Sequence, residues 1–231
     1  MWDVIIYGLI NGLILALLTL GFSLCYSISR LPNFAHGALY ILAGLTAWTV
    51  LNMLNLSYPI AFACSLVATA LMGLAIYQLL IVRVRGMEAS EIIITFTAAL
   101  AIMELLRFLG FVGPKFTIPI LVTGTAEVMG VPVDYHRIAL IPIASGLMAF
   151  LWFFTHYTRV GLALRAIAQD ERAAMMLGID SDLTATLSLA FGSALAAMAA
   201  LVILPLGAIT VETGYSALIL AVAVAIFGGL G

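Results

Sequence analysis

The chain has 231 residues, of which 65% are hydrophobic and 9% charged, with a mean hydropathy of +1.23 and a formal net charge of −2. A soluble domain carries about 25% charged residues. A chain this poor in charge cannot solvate a water-facing surface, so composition excludes a soluble protein and implies an integral, all-α membrane protein. A net charge so close to zero gives no sign of a nucleic-acid partner.

A helix needs about 20 apolar residues to cross the hydrocarbon core. Residues 4–29 contain no Asp, Glu, Lys or Arg and suffice for one span. The N-terminal Met-Trp-Asp carries no basic side chain, and the apolar run is too long for a signal-peptide core, so this span is expected to be retained. Residues 31–82 also lack charge and are expected to supply two more, with Asn52, Asn55, Ser57 and Pro59 marking the turn between them. Spans are predicted at 4–28, 36–54, 59–82, 92–112, 138–157, 183–208 and 214–231, seven in all. Cys25 and Cys64 lie singly inside apolar runs and read as small buried hydrophobes. His36 and His156 have no carboxylate or Cys spaced to complete a metal site, so no metal is expected. No local motif organises a catalytic triad.

Between the first two predicted spans comes "LPNFAHG". Pro32 ends the preceding helix and Asn33 is expected to cap the next. The bland reading makes His36 an ordinary first-turn residue. The functional one makes Asn33, His36 and Gly37 a helix break lining a translocation path, because broken backbone at membrane depth is tolerated only inside protein or beside water. Gly37, Gly44 and the Gly8-x-x-x-Gly12 pair read as sites of close helix packing.

Glu104 and Arg107, at i and i+3, are the exceptional charges inside a span and read as a self-neutralising pair. The following loop, 113–137, alternates apolar and polar residues around Gly130 and is expected to form a short hairpin or lie on the outer surface. With the N-terminus outside, Arg30, Arg83, Arg85, Arg159, Arg165 and Arg172 fall in cytoplasmic loops, and only Lys115 and Arg137 fall outside. That satisfies the positive-inside bias.

The longest cytoplasmic connection, 158–182, contains "RAIAQDERAAMMLGID". Residues 162–177 are good helix formers, Gly178 suits the position after a helix end, and Asp180 or Ser181 is placed to cap the next span. A membrane-surface helix carries Lys/Arg opposite bulky apolar residues. This one sets Asp170 and Glu171 beside Ala173 and Ala174, which suits a docking helix for another protein. The chain has one lysine and no G-x-x-x-x-G-K-[ST], so it cannot cradle ATP phosphates in a P-loop. One intramembrane pair is a poor ion relay. Energy for uphill transport therefore has to come from another subunit. The last run stops at "AIFGGLG" without a polar flank, and further chain is expected beyond it.

"SRLPNFAHGALYILAG" resembles the "INFAHG" segment of the LivH-type permease subunits of branched-chain amino acid ABC importers. "RVGLALRAIAQDERAAMMLGI" resembles their cytoplasmic coupling loop, and "AVAIFGGLG" their "VLGGIGS" segment. The three lie in the family's order and cover essentially the whole chain as a single permease domain. The resemblance implies the ABC importer permease fold in the cell (inner) membrane, with a second, LivM-like permease, two ATPase subunits and an extracytoplasmic substrate-binding protein. ATP and Mg²⁺ would be bound by the ATPases, and this chain would be a transport subunit without cofactor or enzymatic activity. Arg165, Asp170, Glu171, Arg172, Ala173, Ala174 and Gly178 would form the ATPase-coupling surface. Family members often carry a Lys before the "GG", which is missing here, and Glu104 is not a typical family feature. Importers of urea, amides or other small solutes are the nearest alternative cargo class. An ion-coupled carrier or channel using Glu104 is the alternative from a different class.

Overall fold

The computed structural model describes residues 2–30, 32–113, 116–120 and 123–229. Small side chains decide where its helices meet. The stretch "SDLTATLSLAFGSALAAMAALVI" forms α8 (Ser181–Ile203), whose Ala, Ser and Gly residues let neighbours approach on several sides. α1 (Trp2–Ser29) comes in at Gly21: a Cβ placed on Gly192 would lie 2.3 Å from Cys25 Sγ and 2.8 Å from the Gly21 carbonyl oxygen. α3 (Tyr58–Leu79) comes in at Gly73, opposite Ser193. α2 (His36–Trp48) packs against α3, α8 and α9 (Val211–Gly228). α8 is thus the central post, enclosed by α1, α2 and α3.

Among the described residues, six helices are long and apolar enough to cross a membrane: Trp2–Ser29, Tyr58–Arg83, Glu88–Phe108, Tyr135–Tyr157, Ser181–Leu206 and Val211–Gly228. The second of the seven predicted spans is missing from this set because it is interrupted rather than one long helix. Residues 36–54 form the 13-residue α2 and a π-helical turn, Thr49–Met53. His36 Nε2 donates to the Leu18 carbonyl at 3.2 Å, which puts the start of α2 about 17 Å back along α1 from its end. Residues 32–35 are non-helical and return the chain to that depth. The uncharged run of 31–82 therefore crosses first as a non-helical stretch followed by the short α2, which reaches the opposite end with Trp48 against Phe111 and Phe116, and charge counting alone cannot see this break. Asn33 and Ala35 are buried there, as non-helical backbone at membrane depth must be.

The other boundaries move by a few residues. α4 (Glu88–Phe108) starts four residues before 92, because Glu88 and Glu91 sit in its first turn, where negative charge is favoured. It ends before Gly110, whose φ of 94° suits glycine. α5 (Tyr135–Tyr157) is the least enclosed span, and Phe150, Trp152, Phe153 and Tyr157 point outward from it. Trp and Tyr at one end of a span suit a membrane–water boundary.

The hairpin expected around Gly130 is present: β1 (Thr125–Val128) pairs antiparallel with β2 (Val131–Asp134). Met129 and Gly130 both have positive φ, as a type I′ turn requires. Val131 and Val133 pack on Ile10 of α1, and Tyr7 Oη donates to the Pro132 carbonyl at 2.7 Å. Lys115 lies outside the described residues.

Of the glycines read as packing sites, Gly37 and Gly44 are. A Cβ at Gly37 would lie 2.2 Å from the Gly214 carbonyl oxygen, and one at Gly44 would lie 2.2 Å from Leu204 Cδ1. Gly8 and Gly12 are not: nothing lies within 4 Å of a Cβ at either. That face of α1 is exposed within this chain.

Candidate coupling surface and translocation path

The single helix expected at 162–177 is two. α5 turns sharply into α6 (Arg159–Gln169), capped by Thr158, whose Oγ1 accepts from Gly161 N at 3.0 Å. The turn requires glycine at 161, since a Cβ there would sit 2.1 Å from the Phe154 carbonyl oxygen. Gly161, Leu164 and Ile167 bury one face of α6, and Arg165 is on the exposed one. Asp170 then leaves the helical conformation and starts a new helix, α7 (Glu171–Met176), its Oδ1 accepting from Ala173 N at 3.0 Å. An Asp in mid-sequence competes for backbone donors in this way, whereas helix propensity alone reads through it. Gly178 ends α7 with φ 84°, as expected, and Asp180 caps α8 by accepting from Leu183 N at 3.0 Å.

Substituting Asp170 with Ala should cost α7 about 1 kcal/mol. Amide exchange over residues 173–177 is then expected to quicken about fivefold, with the membrane helices unchanged.

The predicted coupling residues divide by environment. Arg172, Ala173 and Gly178 are exposed. Ala174 is not: at 2% exposure it packs into the core and anchors α7. Glu171 pairs with Arg85 at 2.7 Å and accepts from Ser181 Oγ. The surface that composition missed is apolar, with Met176 88% and Leu177 82% exposed and Met175 beside them. Three consecutive bulky apolar residues before the Gly were the available signal. The whole segment lies at the arginine-rich end of the molecule, where Arg30 donates to the Ala168 carbonyl.

At that same end an open cleft of about 910 Å³ runs between α1, α3, α4, α7 and α8. It leads to a smaller cavity lined by Cys25, Asn33, Tyr77, Glu91, Thr95 and Ser188. Of the three path candidates, only Asn33 reaches this cavity. It does not cap α2 as expected. Its Oδ1 accepts from Ala35 N at 3.0 Å, and Ala35 holds the capping position. His36 is buried, hydrogen-bonded to Leu18 and edge-on to Phe22. Gly37 is in the α2–α9 contact described above.

At the opposite end, Arg107 pairs with Glu104 as expected. It also pairs with Glu212, at 3.0 Å, which sequence spacing could not reveal across 105 residues. This ties the last turn of α4 to the first turn of α9. Among the described residues, no group of three or more His, Cys, Asp or Glu could hold a metal ion.

Residues 4–231 match the family described as branched-chain amino acid transport system, permease component. The chain belongs to that family. This permease is 31% identical to the high-affinity branched-chain amino acid transport system permease protein BraD of Pseudomonas aeruginosa, over 98% of its own length and 78% of the relative's. It is 27% identical to LivH of Escherichia coli K12, over 97% and 77%. It is 26% identical to a probable LivH of Methanocaldococcus jannaschii, over 96% and 72%. No solved structure matches the permease. Membership makes it a multi-pass transport subunit of a system with further subunits. It is not itself an enzyme, it has no cofactor, and ATP is handled by ATPase partners.

Proposed function

We propose that this permease forms half of the pore of an ATP-driven importer for leucine, isoleucine, valine or related amino acids. Residues 1–231 act as one permease domain, and 158–182 form its coupling loop. The arginine-rich end faces the cytoplasm, which puts the N-terminus outside the cell membrane. A second, LivM-like permease completes the pore, an extracytoplasmic binding protein delivers cargo, and two ATPases supply energy. One ATPase docks on α6 and α7, meeting Arg165, Arg172, Ala173 and the apolar Met175–Leu177. The observation that carries this is the exposure of Met176 and Leu177 on a capped helix outside the membrane spans. Bulky apolar side chains so exposed mark a protein or membrane contact, and the acidic Asp170 and Glu171 on the same segment favour protein over anionic lipid. The relatives' names supply the cargo class. Asn33 at the head of the cleft is the candidate on the cargo's route to the cytoplasm.

The test is uptake of labelled leucine in cells carrying the whole system. Uptake should vanish when the ATPases are inactivated, and Glu104→Gln should stay within about twofold of the parent, because Arg107 keeps Glu212 as a partner. Uptake that survives ATPase loss but fails in Glu104→Gln would instead establish an ion-coupled carrier. Uptake of urea or amides in place of leucine would change the cargo and keep the rest.

A further inference from the structure

Arg85 lies in the connector between α3 and α4, and its guanidinium gathers four side chains from three separate helices. It donates to Glu171 of α7 at 2.7 Å and to Tyr77 Oη of α3 at 3.0 Å. It also donates to Ser181 and Asp182, the first residues of α8. Only arginine offers a planar fork of five donors able to serve several acceptors at once. Half-burial works against its charge, but the Asp182 hydrogen bond and the Glu171 field outweigh this and hold its pKa above the usual arginine range. The guanidinium therefore stays charged.

The helix it grips is poorly held otherwise. α7 has six residues, is bounded by the Asp170 break and the positive-φ Gly178, and sends one side chain, Ala174, into the core. On the other side of Arg85, the connector is closed by Glu91 of α4, whose Oε1 accepts from Gly86 N at 2.7 Å. Tyr77 and Glu91 both line the inner cavity that Asn33 reaches.

We propose that Arg85 is the joint that carries movement of α7 into the transmembrane helices, shifting Tyr77 and Glu91 at the inner cavity. This rests on α7 being the segment an ATPase moves. Without the joint, α7 hinges at 170 and 178 and keeps only Ala174 and the Glu171–Ser181 hydrogen bond as side-chain ties to the membrane helices. Arg85 is thus a positioning residue, and removing it should uncouple the importer rather than dismantle it.

The experiment uses the assembled importer in proteoliposomes and measures ATPase co-purification, ATP hydrolysis and leucine moved per ATP. In Arg85→Gln, co-purification is expected within twofold of the parent and hydrolysis should continue, while leucine per ATP falls at least tenfold. Arg85→Lys, which keeps the charge without the fork, should be intermediate. Glu171→Gln should uncouple alike, and adding it to Arg85→Gln should cost less than a further twofold. Full leucine per ATP in Arg85→Gln, or independent losses in the double variant, overturns the joint. Loss of co-purification in both Arg85 variants also overturns it, by making Arg85 a docking or folding residue. Failure of the docking assignment shows separately, as normal assembly when Met176 and Leu177 are replaced.

Discussion

Gly37→Val should leave little stable permease in the membrane. The Cβ alone would lie 2.2 Å from the Gly214 carbonyl oxygen and 3.0 Å from Leu218 Cβ. A carbon and a carbonyl oxygen rest no closer than about 3.3 Å, so α2 and α9 would have to part by about 1 Å. The neighbour is backbone and cannot rotate away. Overpacking of this kind costs about 1–3 kcal/mol or more, and each kcal/mol lowers Tm by about 2–4 °C in a chain of this size. A fall of roughly 10 °C in detergent, with uptake lost, is the expected result. Gly214→Ala should be milder: its Cβ would be 2.8 Å from the Gly37 carbonyl oxygen, a smaller overlap than at Gly37, and another close neighbour, Met103 Cε, is the end of a flexible side chain. Gly8→Ala, with open space around it, should shift Tm by less than about 1 °C. Equal effects at 37 and 8 would mean that α2 and α9 do not meet as described.

Replacing Met176 and Leu177 together by Glu should strip the ATPase from the permease without unfolding it. Both side chains are largely exposed, so their loss takes nothing from the core. In a docked complex they would be the apolar anchors, and anchors of this sort cost about 2 kcal/mol or more each when removed. Two of them correspond to a 10²–10³-fold weaker association, since 1.4 kcal/mol is a factor of ten. ATPase co-purification and uptake should fall together while permease abundance holds. The two alanines beside them should separate. Ala173→Trp should act at the docking surface. Ala174→Trp should instead lower permease stability, because that position is packed inside. Normal assembly with both acidic replacements would remove α7 as the docking site.

Much of this was legible from residue chemistry. Long uncharged runs gave five spans within a few residues of their structural bounds, and the first, α1, as well. Gly178 and Asp180 announced the end of α7 and the start of α8, because those positions have strict local backbone needs. Glu104 and Arg107 were paired correctly because i,i+3 neighbours meet on any helix. Asp170 was visible as a charge but not as a break, since the choice between helix and cap depends on how the next turn packs, and Ala174 packs into a core built from distant residues.

The sequence by itself determined that this chain lives in the membrane, runs mostly as helices, has no P-loop motif and displays a polar segment at its arginine-rich end. These follow from composition and from contacts between residues close in the chain. Only the tertiary structure decided that α2 starts at mid-depth, that Gly37 meets Gly214, that Arg107 reaches Glu212 and that Arg85 binds α3, α7 and α8 together. Each of those pairs residues far apart along the chain, and their meeting depends on how whole helices cross, which local spacing does not encode.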